Sequence, residues 1–210
     1  MGIEKFDGLN EMQLDVLREL GNIGSGNAAT SISAMLAKPV NISVPVINIV
    51  GYNEATEMLG GPENTLVGLL LMLDGDIRGM MMFLLEKDFA HLILNSLLGQ
   101  HLKSFEEVDE MGISALKEIG NIMAASYVNA ISSMTGMKID ISVPDISIDM
   151  VGAMLSVPVI HYSTVSDKMI FIQDKFCGGT ESADNAHSHI LLMPEVESLN
   201  NMMEKLGISI

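Results

Sequence analysis

A repeat constrains this chain more than any other feature. The stretch Asp15-Val16-Leu17-Arg18-Glu19-Leu20-Gly21-Asn22, followed by Pro45, returns as Ser114-Ala115-Leu116-Lys117-Glu118-Ile119-Gly120-Asn121, followed by Pro144. In both copies a small polar residue precedes Glu by four positions, Asn follows Glu by three, and Pro lies 23 positions beyond Asn. Every matched position is offset by 99 in a chain of 210 residues. Two copies at one fixed offset indicate a duplicated unit. The expected division is residues 1–103 and 104–210, two repeats within one compact domain.

The spacing acquires geometry if each stretch is helical. At 100° per residue, Asp15, Glu19 and Asn22 fall within about 60° of one another on the helix surface. Val16, Leu17, Leu20 and Gly24 fall on the opposite side, which places the core there. Ser114, Glu118 and Asn121 share a face in the second copy, with Ala115, Leu116, Ile119 and Met123 behind them. Glu and Asn, one turn apart, therefore point outward together, with no lysine four residues on to pair with the Glu. The competing reading is an ordinary solvated helix face, since Glu faces water on most surface helices. Spacing alone does not choose between the two.

Apolar residues make up 48% of the chain and charged residues 18%, which predicts a compact fold. A formal net charge of −16 argues against nucleic acid or an anionic membrane as partner and favours a basic protein surface, or simple solubility. Cys177 is the only cysteine, so no internal disulfide forms, and a reducing cytoplasm is the expected compartment. The first residues lack a signal-peptide layout. Two uncharged runs, Leu20 to Ala37 and Ile119 to Met137, approach membrane-spanning length. They are rich in Gly, Asn, Ser and Thr and read as buried helices, so no membrane insertion is expected.

In chain order, a long helix is predicted over residues 10–37. Its glycines suggest close packing against another backbone, because each costs about 1 kcal/mol against Ala. No Lys-Ser/Thr follows them, as a phosphate loop requires. Val40 to Val50 reads as a strand that Pro45 confines to a sheet edge or a bulge. A short helix over 52–60 follows. Thr65–Leu73 and Ile77–Leu85 read as a hairpin with an Asp74-Gly75 tight turn. Lys87–Leu98 is an amphipathic helix closed by Gly99. Met80-Met81-Met82 with that helix is a candidate partner surface, against the plainer reading of core strand and surface helix.

In the second unit, Ser104 and Glu107 resemble a capping box for a helix ending at Gly136. Lys138–Asp149 reads as a strand carrying Pro144, residues 150–156 as a helix, 157–176 as mainly extended, and 177–186 as a polar loop. Cys177 reads as an incidental thiol there. His189–Met193 is a strand, and Pro194–Leu206 a terminal helix with Pro at its start. The expected fold is α/β of the α+β type: a pseudo-two-fold duplicated unit with two long helices packed on one shared, mainly antiparallel sheet. His187 and His189 could face one metal from a strand, but no cysteine or carboxylate cluster accompanies them, and edge-strand or solvated histidine is the expectation. No metal site and no nucleophile-elbow triad is predicted.

The duplicated Asp/Ser-x3-Glu-x2-Asn-x22-Pro pattern resembles the CheC/CheX/FliY family of chemotaxis phosphatases, and within it the CheC branch, over about residues 10–207. The resemblance implies dephosphorylation of the phosphorylated response regulator CheY. It implies that Glu19 and Asn22 form one catalytic site and Glu118 and Asn121 another. Asn would orient the attacking water and Glu would dock the partner. Asp15 and Ser114 would hold the binding position of the motif, and Pro45 and Pro144 its structural one. No cofactor of its own is implied, since Mg2+ belongs to the CheY pocket. CheD, a receptor deamidase, is the implied second partner. The alternative is a non-catalytic adaptor that sequesters phosphorylated CheY or regulates CheD. The family's flagellar-switch members carry a further domain, and no such domain is expected after Ile210.

Overall fold

The computed structural model describes residues 6–99, 101, 104–162, 168–178 and 186–208. Among these residues, six α-helices and eight strands follow in the order α1 Glu11–Leu36, β1 Val40–Ile42, β2 Val46–Gly51, α2 Tyr52–Met58, β3 Thr65–Gly75, β4 Gly79–Leu85, α3 Lys87–Leu98, α4 Glu110–Thr135, β5 Ile139–Ile141, β6 Asp145–Met150, α5 Val151–Tyr162, β7 Lys168–Gly178, β8 Ala186–Pro194 and α6 Val196–Lys205. All strand pairs are antiparallel.

The predicted shared sheet is present. Its strands run β1-β7-β8-β4-β3-β5, with β2 continuing the β1 edge along β7 and β6 continuing the β5 edge along β3. The edge strand from the first half therefore pairs with β7 from the second, and the edge strand from the second pairs with β3 from the first. Both prolines sit in breaks of these edges, between β1 and β2 and between β5 and β6. An edge break is where a residue without an N–H costs no ladder hydrogen bond.

One sheet face packs against α1 and α4, flanked by α3 and α6, around Leu20, Ile32, Leu69, Phe83, Phe89 and Ile119. The other face carries α2 and α5 over Leu66, Met80, Met82, Phe171 and Leu191. Because both faces are covered, β4 is buried at every position. Met80, Met81 and Met82 are thus core and leave no partner surface.

Helix ends follow local chemistry. Asn10 caps α1 and forms a reciprocal capping box with Gln13. At α4 the Ser104–Glu107 expectation fails. Residues Phe105–Glu107 form a separate 3-10 turn, and Asp109 caps α4 by accepting from the Gly112 N–H. Gly136 ends α4 at φ +73, and Gly99 ends α3 at φ +67, both left-handed as expected.

Four further expectations change. The β3–β4 hairpin does not turn at Asp74-Gly75; Leu73 pairs with Gly79, and β3 runs on to Gly75 because β5 pairs with it there. Helix α5 continues through Pro158 to Tyr162 where extended chain was expected. Its first free N–H groups, on Val151 and Gly152, are taken by the carbonyls of Asn64 and Pro62. Pro194 ends β8 instead of starting the terminal helix, which begins at Val196. Cys177 lies in β7, paired with Asn41, and residues 179–185 of the expected polar loop lie outside the described residues. Among the described residues, no helix is long and apolar enough to cross a membrane.

Candidate functional site

Asp15, Glu19 and Asn22 are all exposed on α1, and Ser114, Glu118 and Asn121 are all exposed on α4. Leu17, Leu20, Leu116 and Ile119, on the opposite sides of the two helices, are buried in the core. The helical periodicity thus turns the two stripes outward for the reason seen in the sequence: apolar residues claim the other face. Among the described residues, the side chains of Glu19, Asn22, Glu118 and Asn121 make no hydrogen bond or ion pair. Asp15 accepts a hydrogen bond from the Arg18 guanidinium, an exposed pair that the sequence reading did not anticipate.

The residue before each Asn is a buried glycine. A Cβ on Gly21 would stand 2.5 Å from Ile47 Cδ1, and one on Gly120 would stand 2.8 Å from Leu69 Cδ1. These glycines let each helix settle onto the sheet directly behind its Asn. The compensation for glycine in a helix is therefore side-chain packing, not the close backbone approach expected from sequence. Pro45 and Pro144 are buried.

The two stripes are separate. Gly24 of α1 lies against the Tyr127 ring of α4. A small cavity nearby is lined by Leu17, Leu20, Gly21, Tyr127 and Ile131. Moving forward along α4 thus means moving backward along α1, so the helices are antiparallel. Asn22 and Asn121 consequently lie toward opposite ends of their shared seam. A cleft of about 640 Å³ lies elsewhere, between the β3–β4 turn and α6, lined by Asp76, Arg78, Glu197, Asn201 and others but by no motif residue.

Behind the seam is a polar cluster that sequence reasoning missed. Ser25 Oγ and Tyr127 Oη each donate to Asp174 at 2.7 Å, and the two hydroxyls also touch each other. Burial pushes the Asp174 carboxyl up to about 6, against the hydrogen bonds from Tyr127 and Ser25. The Tyr127 phenol is raised, first by burial and then by the Asp174 charge. The signal in the sequence was a lone acid in register with Ile170, Ile172 and Phe176 on the core face of β7.

His187 and His189 stand on β8, an interior strand flanked by β4 and β7, so the edge-strand expectation is corrected. His189 is fully buried and bonds Glu86 Oε1 through Nε2 at 2.9 Å. That bond holds the Glu86 carboxyl below its ordinary value, with burial opposing it. Among the described residues, no group of three His, Cys, Asp or Glu side chains is placed to hold a metal ion.

The CheC-like family model matches residues 12–49 and 111–148, the two copies of long helix plus edge strand. The CheY-P phosphatase CheC of Bacillus subtilis (strain 168) is 31% identical across 98% of this chain and 99% of its own length. The chain belongs to the CheC-like family. The flagellar motor switch phosphatase FliY of the same organism is 27% identical over 70% of this chain and 38% of its own length. Among solved structures, FliY of Thermotoga maritima superposes with a TM-score of 0.75 at 21% identity, covering 95% of this chain and 98% of that one. The chemotaxis protein CheX of a Desulfovibrio desulfuricans subspecies superposes at 0.52 and 13% identity, over 84% and 99%. These likenesses place the helix-on-sheet architecture in the family's fold.

Proposed function

We propose that this protein hydrolyses the aspartyl phosphate of a phosphorylated CheY-type response regulator in the cytoplasm, with Asn22 and Asn121 each orienting an attacking water. The observation that carries this reading is the exposure of the candidate sites outside the cleft. Small-molecule enzymes hold their chemistry in a cleft. Here the duplicated Glu and Asn side chains stand free on exposed helix faces, and the 640 Å³ cleft contains none of them. Side chains arranged this way suit insertion into another protein's pocket.

The chemistry asked of them is modest. An acyl phosphate is already reactive, and phosphoryl transfer is helped chiefly by in-line placement of the nucleophile and by charge stabilisation. A carboxamide oxygen accepts a hydrogen bond from water while its NH2 donates elsewhere, and it brings no charge to repel the phosphoryl group. Glu19 and Glu118, being anionic, serve better away from the phosphate. Their proposed role is to pair with a lysine of the response regulator and fix its register. Asp15 and Ser114 border that contact. Pro45 and Pro144 set how each edge strand lies under its helix. The Mg2+ of the reaction belongs to the partner's acidic pocket, and this chain supplies no ligand to it. The family resemblance also points to CheD as a second partner.

The test is phosphate release from phosphorylated CheY with catalytic amounts of this protein. Turnover beyond one phosphate per chain is expected, and stoichiometric protection without release would instead mean a binding protein. Asn22→Ala with Asn121→Ala should lower kcat by roughly 10²–10³-fold, the usual effect of removing a positioned polar group. A folded double variant with undiminished turnover rejects the assignment.

A further inference from the structure

Four exposed apolar side chains repeat with the motif. Met12 and Met111 are 62% and 64% exposed, and Val44 and Val143 are 76% and 80% exposed. Both pairs are offset by the same 99 residues as the Glu and Asn. Single exposed apolar residues need no explanation. Two pairs at matched positions do, because the halves have diverged even in the middle of the packed seam. Gly24, Ser25 and Ala28 of α1 answer to Met123, Ala124 and Tyr127 of α4, and all six are buried. Exposed positions are where substitution costs least. Even so, Met, Glu and Asn on the helices, and Val before the buried Pro, are the same in both halves.

Their placement is specific. At 100° per residue Met12 stands about 20° from Glu19, and about 15 Å of helix separates it from Asn22. It therefore extends the polar stripe at its N-terminal end. Val44 lies toward the other end. The chain is fastened to Ser33 at Val40 by two hydrogen bonds, and Ile47 fills the space over Gly21. Residues 43–45 must cross beside α1 between those levels, on the C-terminal side of Asn22. Met111 and Val143 hold the repeat-related positions around Ser114, Glu118 and Asn121.

We infer that Met12 with Val44, and Met111 with Val143, are the apolar contacts by which each site grips the phosphorylated response regulator. This inference rests on the function proposed above. A Glu–lysine pair in open water contributes little. Apolar contact at both ends of the stripe excludes water from that pair and from the carboxamide, and itself contributes by burying apolar surface. Methionine suits the role because its flexible thioether adapts to a partner's surface. The partner is a receiver protein with a lysine beside its acidic pocket and apolar surface on either side of it.

The experiment compares wild type with Met12→Ser/Met111→Ser and with Val44→Ser/Val143→Ser. It measures steady-state phosphate release from phosphorylated CheY and binding of CheY carrying beryllofluoride as the phosphoryl mimic. All four positions are exposed, so the melting temperature should stay near wild type. Each double variant should raise KM and the Kd for the mimic about tenfold, the lower end for losing a buried apolar side chain, with kcat unchanged. The Asn variants move kcat instead. Wild-type turnover with unchanged KM in both Ser variants overturns this inference and leaves the phosphatase reading standing. If the wild type does not turn over, the phosphatase reading fails, and the binding arm still decides: weakened binding supports the contacts, while unchanged or undetectable binding overturns them. A wild-type dimer that the Ser substitutions split into monomers, with KM unaltered, assigns the patches to a second copy and also overturns the inference.

Discussion

Helices α1 and α4 repeat the motif stripe on their outer faces, while the middle of the seam behind it, at Gly24, Ser25 and Ala28, is not repeated. Outside, Glu19 and Asn22 match Glu118 and Asn121. Inside, the seam is lopsided. The Tyr127 ring occupies the space that Gly24 leaves open, whereas the positions related to these by the repeat are Ala28 and Met123. Both large side chains, Tyr127 and Met123, come from α4, and both small residues, Gly24 and Ala28, come from α1. The polar cluster is equally one-sided. Ser25, Tyr127 and Asp174 bond one another, while the related positions Ala124, Ala28 and Leu71 are apolar and fully buried. Leu71 corresponds to Asp174 because Leu70 pairs with Asp145 as Gln173 pairs with Val46. A buried layer can drift if volume and hydrogen bonding are compensated across the seam. The outer face has no such freedom if a partner reads it.

Three substitutions test this contrast. Tyr127→Ala should be the most damaging. Its ring is buried against Gly24 and edge-on to Phe83 at 6.2 Å between centroids. Removing it leaves a cavity and strips Asp174 of a donor, for an expected loss of about 3–5 kcal/mol in urea denaturation. A loss below about 1 kcal/mol would show that the seam repacks freely and that the lopsidedness carries no weight.

Asp174→Asn should matter through pH. Three oxygen contacts join Ser25, Tyr127 and Asp174, but the two hydroxyls bring only two protons, both given to the carboxylate when it is ionised; when Asp174 is protonated, one hydroxyl accepts from the acid and turns its own proton to the other hydroxyl. The folded carboxyl titrates near 6, above its ordinary value of 3.8. A raised folded value favours folding fully below about pH 4, and the contribution is lost as pH rises through 6. At pH 7.5 the ionised carboxylate costs about 3 kcal/mol relative to that acid limit. Asn is uncharged and can complete the same ring with its NH2. The variant should therefore gain stability relative to wild type as pH rises from 4 to 7.5. Parallel stability curves across that range would mean that Asp174 is not held protonated by its surroundings.

Asp15→Ser should matter least. It gives α1 the residue that α4 carries at the matched position and removes the exposed pair with Arg18. The expected change is under about 1 kcal/mol in chemical denaturation. A larger loss would make the two outer faces structurally unequal.

The sequence alone determined the parts governed by local periodicity. The two long helices, the outward turn of Glu19, Asn22, Glu118 and Asn121, the glycine stops after α3 and α4, and the confinement of Pro45 and Pro144 to sheet edges depend on residues close together in the chain. A helix face or a missing N–H is a property of such neighbours. Tertiary structure decided what depends on pairing between distant segments. It extended β3 through the expected turn because β5 lies beside it, and it carried α5 past Pro158. It enclosed His189 in an interior strand and gathered Ser25, Tyr127 and Asp174 into one buried cluster. It also crossed the edge strands between the halves, so that each half's hairpin is completed by the other half's edge. None of these is written in a local window, because each is settled by which surface finally covers which.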